Sequence, residues 1–499
     1  MEENEMKKKI FSVISTGVIV ATAVTFTGCS SKRGTADVTP FVDDYDPNKT
    51  YDIEFFGWGD ASEQAIYKSA IKNFELLYKN IHVNYQATDA GSYMTALTGK
   101  INTLPDVFYL PDTEFLQWAD SGRLMNLLDE ECQLEQELTN VWDNAVNEYY
   151  YNPETFTLGK SDGAGMFALP KDQGPYTLGY NVAVMQRQIT NNGLKDDADV
   201  NALLSGEPVT WDTFRSALKK LKVGMPTGDY PMTCYEMEAA VYSNNANFFD
   251  DTASTSKLSS PEFVAAIQFI ADLCSDGIIP TSGGALAAGE SDDTAMQTGH
   301  SLLTFVGPWD FANIWKNSTL NVDIIPVPYG PGADGEYGTA DDGKSTTFIG
   351  SMGYCIPTQT KNRGTSGAAL RLAKYLTFNE DAQRTFYSKG QCVPNLKSMA
   401  DEYINDTEDV LTSEGHTDPE HRNIFIDIVD GFTDEKDKIG GKTRALYYTY
   451  NSNWRTNLEA IINNSGLWKG SVTAKSVLEE YDSTFQKELD AMNKTLKRK

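Results

Sequence analysis

From Tyr51 onward the apolar positions switch between two periods. "YDIEFFGW" (51–58) alternates as a strand does and ends in Gly57-Trp58-Gly59; Ile66, Ala70, Phe74 and Leu77 then recur at helical spacing. "IHVNYQ" (81–86) predicts a second strand, a short helix follows around 92–101, and "DVFYL" (106–110) predicts a third strand. A further helix, Glu114 to Ser121, stops before Gly122. The middle of the chain repeats this grammar with strands at "YTLGYN" (176–181) and "SLLTFV" (301–306) and helices at "TWDTFRSALKKL" (210–221) and "PEFVAAIQFIADLCSDG" (261–277). Val477, Tyr481, Phe485, Leu489 and Met492 mark a last helix, whereas 400–443 is acidic and irregular and reads as an insertion. Strand-helix-strand repetition implies a parallel α/β sheet. In such sheets ligands gather at the carboxyl ends of strands, which picks out Trp58, Asp60, Asp112, Glu114, Trp309 and Asp310.

The chain has 499 residues, of which 40% are hydrophobic and 22% charged, so wholesale disorder is excluded and about three ~150-residue units are the size prior. Forty-two Lys and Arg against 70 Asp and Glu leave a formal net charge of -28, which repels phosphate backbones and argues against nucleic acid. The four histidines, His82, His300, His416 and His421, include no i, i+4 pair and so no zincin-type site.

Lys7, Lys8 and Lys9 precede an uncharged, largely apolar stretch from Ile10 to Gly28, the layout of an export signal. Its end, Phe26-Thr27-Gly28-Cys29, resembles a lipobox with Phe where Leu is usual, which implies cleavage before Cys29 and a diacylglycerol on its sulfur. A plain transmembrane anchor is the alternative, since 19 uncharged residues could just span a bilayer. Either places the rest of the chain outside the cytoplasmic membrane. Lys32 to Thr50 is rich in turn formers and reads as a tether. The other cysteines, Cys132, Cys234, Cys274, Cys355 and Cys392, are odd in number and widely spaced, so one disulfide is possible but no pairing follows.

Catalytic motifs are few. Gly338 to Ser345 fits GxxxxGK[ST] literally, yet "PYGPGADGEY" before it is no buried strand and "TTFIG" after it is no helix opening, so a nucleotide site is not expected. Asp334, Glu336, Asp341 and Asp342 on that Gly-rich turn suit calcium, with a solvated acidic hairpin tip as the alternative. No GxSxG or HExxH occurs, and acidic pairs such as Asp292-Asp293 are expected by chance among so many acids. No enzyme is expected.

"AMQTGHSLLTFVGPW" (295–309), "LPDVFYL" (104–110) with Asp112, "SGRLMNLLD" (121–129), "FALPKDQGPYTLGYN" (167–181), "PVTWDTF" (208–214) and "GYCIPTQTKN" (353–362) resemble, in this order, segments of the carbohydrate-binding extracellular solute-binding proteins of ABC importers, the group related to maltose-binding protein. The resemblance runs from about 51 to 490, and the stretches 331–344 and 400–443 depart from it. It implies a type II periplasmic-binding-protein fold of class α/β: two lobes joined by crossing strands near 174–181 and 349–357, with a third crossing near 395. The segments implied are a signal peptide at 1–28, a lipid-anchored tether at 29–50, lobe 1 at 51–175 plus about 355–395, and lobe 2 at 176–354 plus about 396–499. It further implies a monomer that closes on an oligosaccharide without a cofactor, partnered by permease subunits and held by lipid at the extracytoplasmic face of a cell membrane, the pattern of a Gram-positive bacterium. In that cleft Trp309 is the expected stacking platform, with Trp58 and Tyr450 as weaker ones, and Asp60, Asp112, Glu114, Asp172 and Asp310 as hydroxyl acceptors. Tyr176 and Ser351 are expected beside the ligand at the crossing strands, whereas Trp118 and Trp142 read as core.

Overall fold

The computed structural model describes residues 40–281, 290–405, 417–431 and 438–496. The expected export signal, Cys29 and the first part of the expected tether lie outside these residues. The chain is already packed at Phe41, which is buried; Asp44 accepts the Gly367 N–H at 2.8 Å and Arg371 pairs with Asp43 at 2.9 Å. The expected tether over 29–50 is therefore shorter: residues 41–50 belong to the globule because an aromatic anchor and two aspartates tie them down.

The first sheet is built from β1 (Tyr51–Trp58), β2 (Ile81–Thr88) and β3 (Val107–Pro111), parallel to one another around the central β1. Asp60 caps helix α1 (Ala61–Leu77) by accepting the Ser62 and Glu63 N–H groups, and Ile66, Tyr67, Ala70, Ile71 and Phe74 form its buried stripe. Helix α2 (Ala90–Gly99) joins β2 to β3, and helix α3 (Asp112–Asp120) follows β3 directly. Strand β4 (Leu169–Pro175) then runs into β5 (Thr177–Asn181), which belongs to the second sheet.

In that second sheet β5 lies antiparallel to both β7 (Ser301–Val306) and β8 (Val322–Ile325), while β6 (Tyr230–Met232) flanks β7 in parallel. Helix α4 (Trp211–Lys222) starts at a Thr210 cap and α5 (Pro261–Ser275) at a Ser260 cap with Pro261 in its first turn; α6 (Phe311–Ile314) follows β7. The expectation of a parallel sheet thus holds around β1, and the antiparallel members enter where the chain changes lobe.

Strand β9 (Ser345–Cys355) is the second crossing: Phe348 packs in the core of the second lobe and Tyr354 in that of the first, and Gly350 to Met352 lie opposite Gly174 to Asp172 of β4. Near the third expected passage, Asn395 is fully buried and donates to the Pro170 and Lys171 carbonyls, which fastens this segment to β4. Helix α7 (Ser366–Phe378) and α8 (Glu380–Tyr387) return to the first lobe.

The segment 400–443 is a correction. Its described part holds a helix at Ala400–Asn405, helix α9 (Asn423–Asp430) and strand β10 (Ile439–Thr443), which pairs in parallel with β9 and extends the first sheet. The strand was unreadable because Ile439-Gly-Gly-Lys-Thr443 carries one large apolar residue; its partner, not its own composition, makes it a strand. The C-terminal helix α10 (Ala474–Thr495) buries the spaced residues expected of it.

Asp106, at the foot of β3, is 4% exposed and accepts Arg363 at 3.0 and 2.7 Å, the Thr365 hydroxyl and the Glu54 N–H. Asp106→Ala is expected to cost on the order of 3 kcal/mol in a denaturant titration, because a guanidinium and two further donors lose one shared acceptor. An unchanged midpoint would refute that role. All five described cysteines are free thiols, so the possible disulfide is not formed.

Candidate functional site: an aromatic and acidic crevice where the lobes cross

Strand β7 ends in Gly307-Pro308-Trp309-Asp310. The Gly307 N–H donates to the Asp310 carboxylate at 2.8 Å, closing a tight turn that presents Trp309. Trp309 is 40% exposed, unusual for so large an apolar side chain, and lies parallel to Tyr176 at 5.7 Å between ring centres and 17° between planes. Tyr176, the residue between the two crossing segments β4 and β5, is backed by Phe305 at 5.4 Å and Phe348 at 5.2 Å. Gly174 lies beneath: a Cβ there would sit 2.7 Å from the Trp309 ring, so only glycine admits this pose.

Carboxyl groups ring the pair. Burial pushes Asp310 up to about 7, with Asp293 beside it adding to the rise. Burial also raises Asp293 and Glu236, and Glu236, Asp310 and Asp293 all bear on the Tyr176 phenol. A carboxyl such as that of Asp310, partly protonated near neutral pH, can donate as well as accept, which suits hydroxyl partners.

The facing wall comes from the first lobe. Trp58 is half-buried and meets Tyr93 edge-on at 5.0 Å, so much of its ring serves packing. Hydrogen bonds from the Glu63 and Ser62 N–H groups hold Asp60 below the usual carboxylate range, and Lys316 and Asn313, at and just past helix α6 of the other lobe, act in the same direction. Glu63 is pushed up to about 7 by burial against the opposing pull of Lys171. Lys171, 2% exposed, reaches Asp172 at 2.5 Å and Glu63 at 4.0 Å and lies over the Tyr109 ring. Asp172 is therefore already engaged by a buried cation.

Between the walls, on the crossing strands, is a denser polar knot. Asp112 and Glu148 are both buried, and burial lifts their carboxyls, Asp112 to about 6 and Glu148 to about 8. The Asp112 charge adds to the rise of Glu148, whereas Arg444 favours the ionised form of Asp112, so of the two Glu148 is the one held further towards its protonated form. Glu148 accepts the Thr443 hydroxyl at 2.7 Å; Asp112 accepts its neighbour's Thr113 N–H, while its Oδ2 is buried without a hydrogen-bond partner. Arg444, just past β10, sits 3.6 Å from Glu238 of the second lobe. The Ser351 hydroxyl is 2.6 Å from the Tyr149 hydroxyl and donates to the Asp172 carbonyl, so it braces the crossing rather than facing open space.

Of the residues expected from sequence, Trp309, Asp310 and Tyr176 form one group, Asp60 and Asp172 are joined through Glu63 and Lys171, and Asp112 lies with Ser351 in the knot. Glu114, half-buried, has a carboxyl raised by burial in the first turn of α3. Tyr450 packs against both lobes' cores and its carbonyl accepts Gln117 at 2.5 Å. Trp118 and Trp142 are buried, as read. Glu63, Lys171, Glu148, Glu236 and Arg444 were missed; only Glu63, three residues after a capping aspartate, had a local signature.

The acidic turn is tied up within its own loop. Asp341 accepts from the Asp334 N–H and Asp342 from the Gly338 and Thr339 N–H groups, so these carboxylates are spent on their own loop. Among the described residues no three His, Cys, Asp or Glu side chains converge as a metal site, and the calcium set of Asp334, Glu336, Asp341 and Asp342 is not assembled. The GxxxxGK[ST] match cradles nothing either, since Ser345 opens strand β9 and no helix follows. No described helix is long and apolar enough to cross a membrane.

A comparison with curated protein sequences finds no match. The fold is similar to that of an ABC substrate-binding protein, Lmo0181 from Listeria monocytogenes in complex with cycloalternan (TM-score 0.65, 15% identity, 89% of this chain and 100% of that one). It is also similar to the cyclic alpha-maltosyl-1,6-maltose binding protein from Arthrobacter globiformis (TM-score 0.64, 16% identity, 89% and 100%) and to maltose-bound MalE3 of T. maritima (TM-score 0.61, 17% identity, 89% and 100%). These likenesses show the two-lobe type II fold. The model of the bacterial extracellular solute-binding proteins, a family of binding proteins rather than enzymes, matches residues 69–418, and the chain belongs to that family.

Proposed function

We propose that the chain captures a carbohydrate, an oligosaccharide, in the crevice between its lobes and delivers it to the permease of an ABC transporter, while Cys29 anchors it by lipid to the outer face of the cell membrane. The observation that carries this reading is the exposed Trp309 stacked on Tyr176 within a ring of carboxyls. An aromatic face matches the C–H face of a pyranose, and carboxyls match its hydroxyls. The similar structures in complex with cycloalternan and with maltose support the same ligand class.

Calorimetric titration of residues 30–499 against mono- and oligosaccharides tests it. One saturable heat of one-to-one stoichiometry for one sugar class is the expected result, unchanged by calcium because the acidic loop is self-satisfied. Silence across the panel would sink the carbohydrate reading. The anchor has its own test: Cys29→Ala is expected to abolish incorporation of labelled palmitate and release the protein into the medium.

A further inference from the structure

A cavity of about 440 Å³ lies between the first three turns of α1, the α6 helix and the end of α8. Its volume is within the range of small-molecule sites. It straddles the two lobes: α1 and α8 pack together through Tyr67 and Phe386, whose ring centres are 4.9 Å apart, whereas α6 continues from the Trp309 turn. The seam is closed by the Ala312 N–H, which donates to the Gly390 carbonyl at 3.2 Å. A Cβ on Gly390 would come 2.6 Å from the Ala312 nitrogen, so the two elements meet backbone to backbone.

The lining differs in charge from the rest of the molecule. In a chain with 70 acids against 42 bases, none of the described lining residues is Asp or Glu, and two are lysines, Lys316 and Lys389. They approach from opposite lobes. Lys316 donates to Asn313 Oδ1 at 2.6 Å, which keeps its ammonium at the rim near Asp60. Between them Trp315 and Ile66 supply apolar surface, and the hydroxyls of Ser62, Ser69, Thr385 and Ser388 supply short donors and acceptors. The Thr385 hydroxyl donates backward to the Asp381 carbonyl, so toward the cavity it offers lone pairs. Two lysines beside an aromatic ring and four hydroxyl-bearing residues match a molecule with a carboxylate, several hydroxyls and a C–H face.

We propose that this cavity is a binding subsite for an acidic saccharide unit, a uronate, whose carboxylate pairs with Lys316 and Lys389. The assignment rests on the carbohydrate reading above and narrows it: the ligand contains a uronic acid, and its acidic unit bridges the lobes beside the α6 helix that follows the Trp309 turn.

The probes are trigalacturonate, glucuronate, maltotriose and inorganic phosphate, titrated into the mature chain and into Lys316→Glu and Ser69→Trp. Both side chains are exposed, and a matching melting temperature confirms that each variant folds. Binding of a uronate probe that weakens at least tenfold in Lys316→Glu and in the cavity-filling Ser69→Trp, and weakens as salt rises, is the expected result. Three results overturn the inference: uronate binding indifferent to both substitutions, phosphate binding as tight as uronate, or maltotriose binding with no uronate binding. The last leaves the carbohydrate reading standing, whereas silence for every saccharide removes both.

Discussion

Trp309→Ala is expected to weaken saccharide binding by on the order of 30- to 100-fold, with a smaller fall in melting temperature than the loss of a fully buried tryptophan would cause. The two effects differ because the ring is 40% exposed, so part of the surface it loses is already in water. What it removes is the outer face of a rigid two-ring stack held by Phe305 and Phe348 behind Tyr176. Aromatic anchors of this kind are worth about 2–3 kcal/mol to an interface when truncated, which converts to that loss of affinity. Trp309→Phe, which keeps a flat ring over Gly174, is expected to retain most of it. Calorimetry reads the affinity and scanning calorimetry the stability. Unaltered binding in Trp309→Ala would take the platform away from the ligand, and a large fall in melting temperature would make it a packing residue.

Glu148→Gln is expected to change how stability depends on pH. The folded-state carboxyl of Glu148 is raised from its ordinary 4.5 to about 8, because burial beside Asp112 disfavours a second negative charge. A raised carboxyl stabilises fully below its unfolded value and loses that contribution as pH climbs through the folded one. The wild-type protein should therefore lose stability between about pH 5 and pH 8.5, by on the order of 3 kcal/mol from this group. Glutamine keeps the shape of the protonated carboxyl and cannot ionise. It should match the wild type at pH 5, exceed it at pH 9, and flatten the slope between. Glu148→Ala is the control, since it strands the Thr443 hydroxyl and should be weaker at every pH. Parallel slopes for wild type and Glu148→Gln would mean that Glu148 is ionised throughout.

Much of the fold was legible because its signals are local. Ser301–Val306 is a run of apolar and small residues between Gly299 and Gly307, Thr210 and Ser260 announce the helices they cap, and Pro261 opens the helix it predicts. The site was legible only in part. Trp309 and Asp310 follow a strand visible in the sequence, and Tyr176 precedes one. Ser351 was placed beside the ligand from its position on a crossing strand, yet its hydroxyl faces Tyr149 and Asp172, a direction set by partners 202 and 179 residues away.

By itself the sequence determined the alternation of strands and helices, the acidic balance, the export signal's pattern and the family, since each depends on residue order or on counting. The tertiary structure alone decided that Ile439–Thr443 is a strand, that burial beside Asp112 raises the Glu148 carboxyl and that Arg444 lies between the lobes. It also decided that Asp341 and Asp342 of the 331–344 loop accept hydrogen bonds from backbone N–H groups of that same loop. Pairing, burial and the charge of a neighbour are properties of residues far apart in the chain, and a proton's free energy depends on all of them at once.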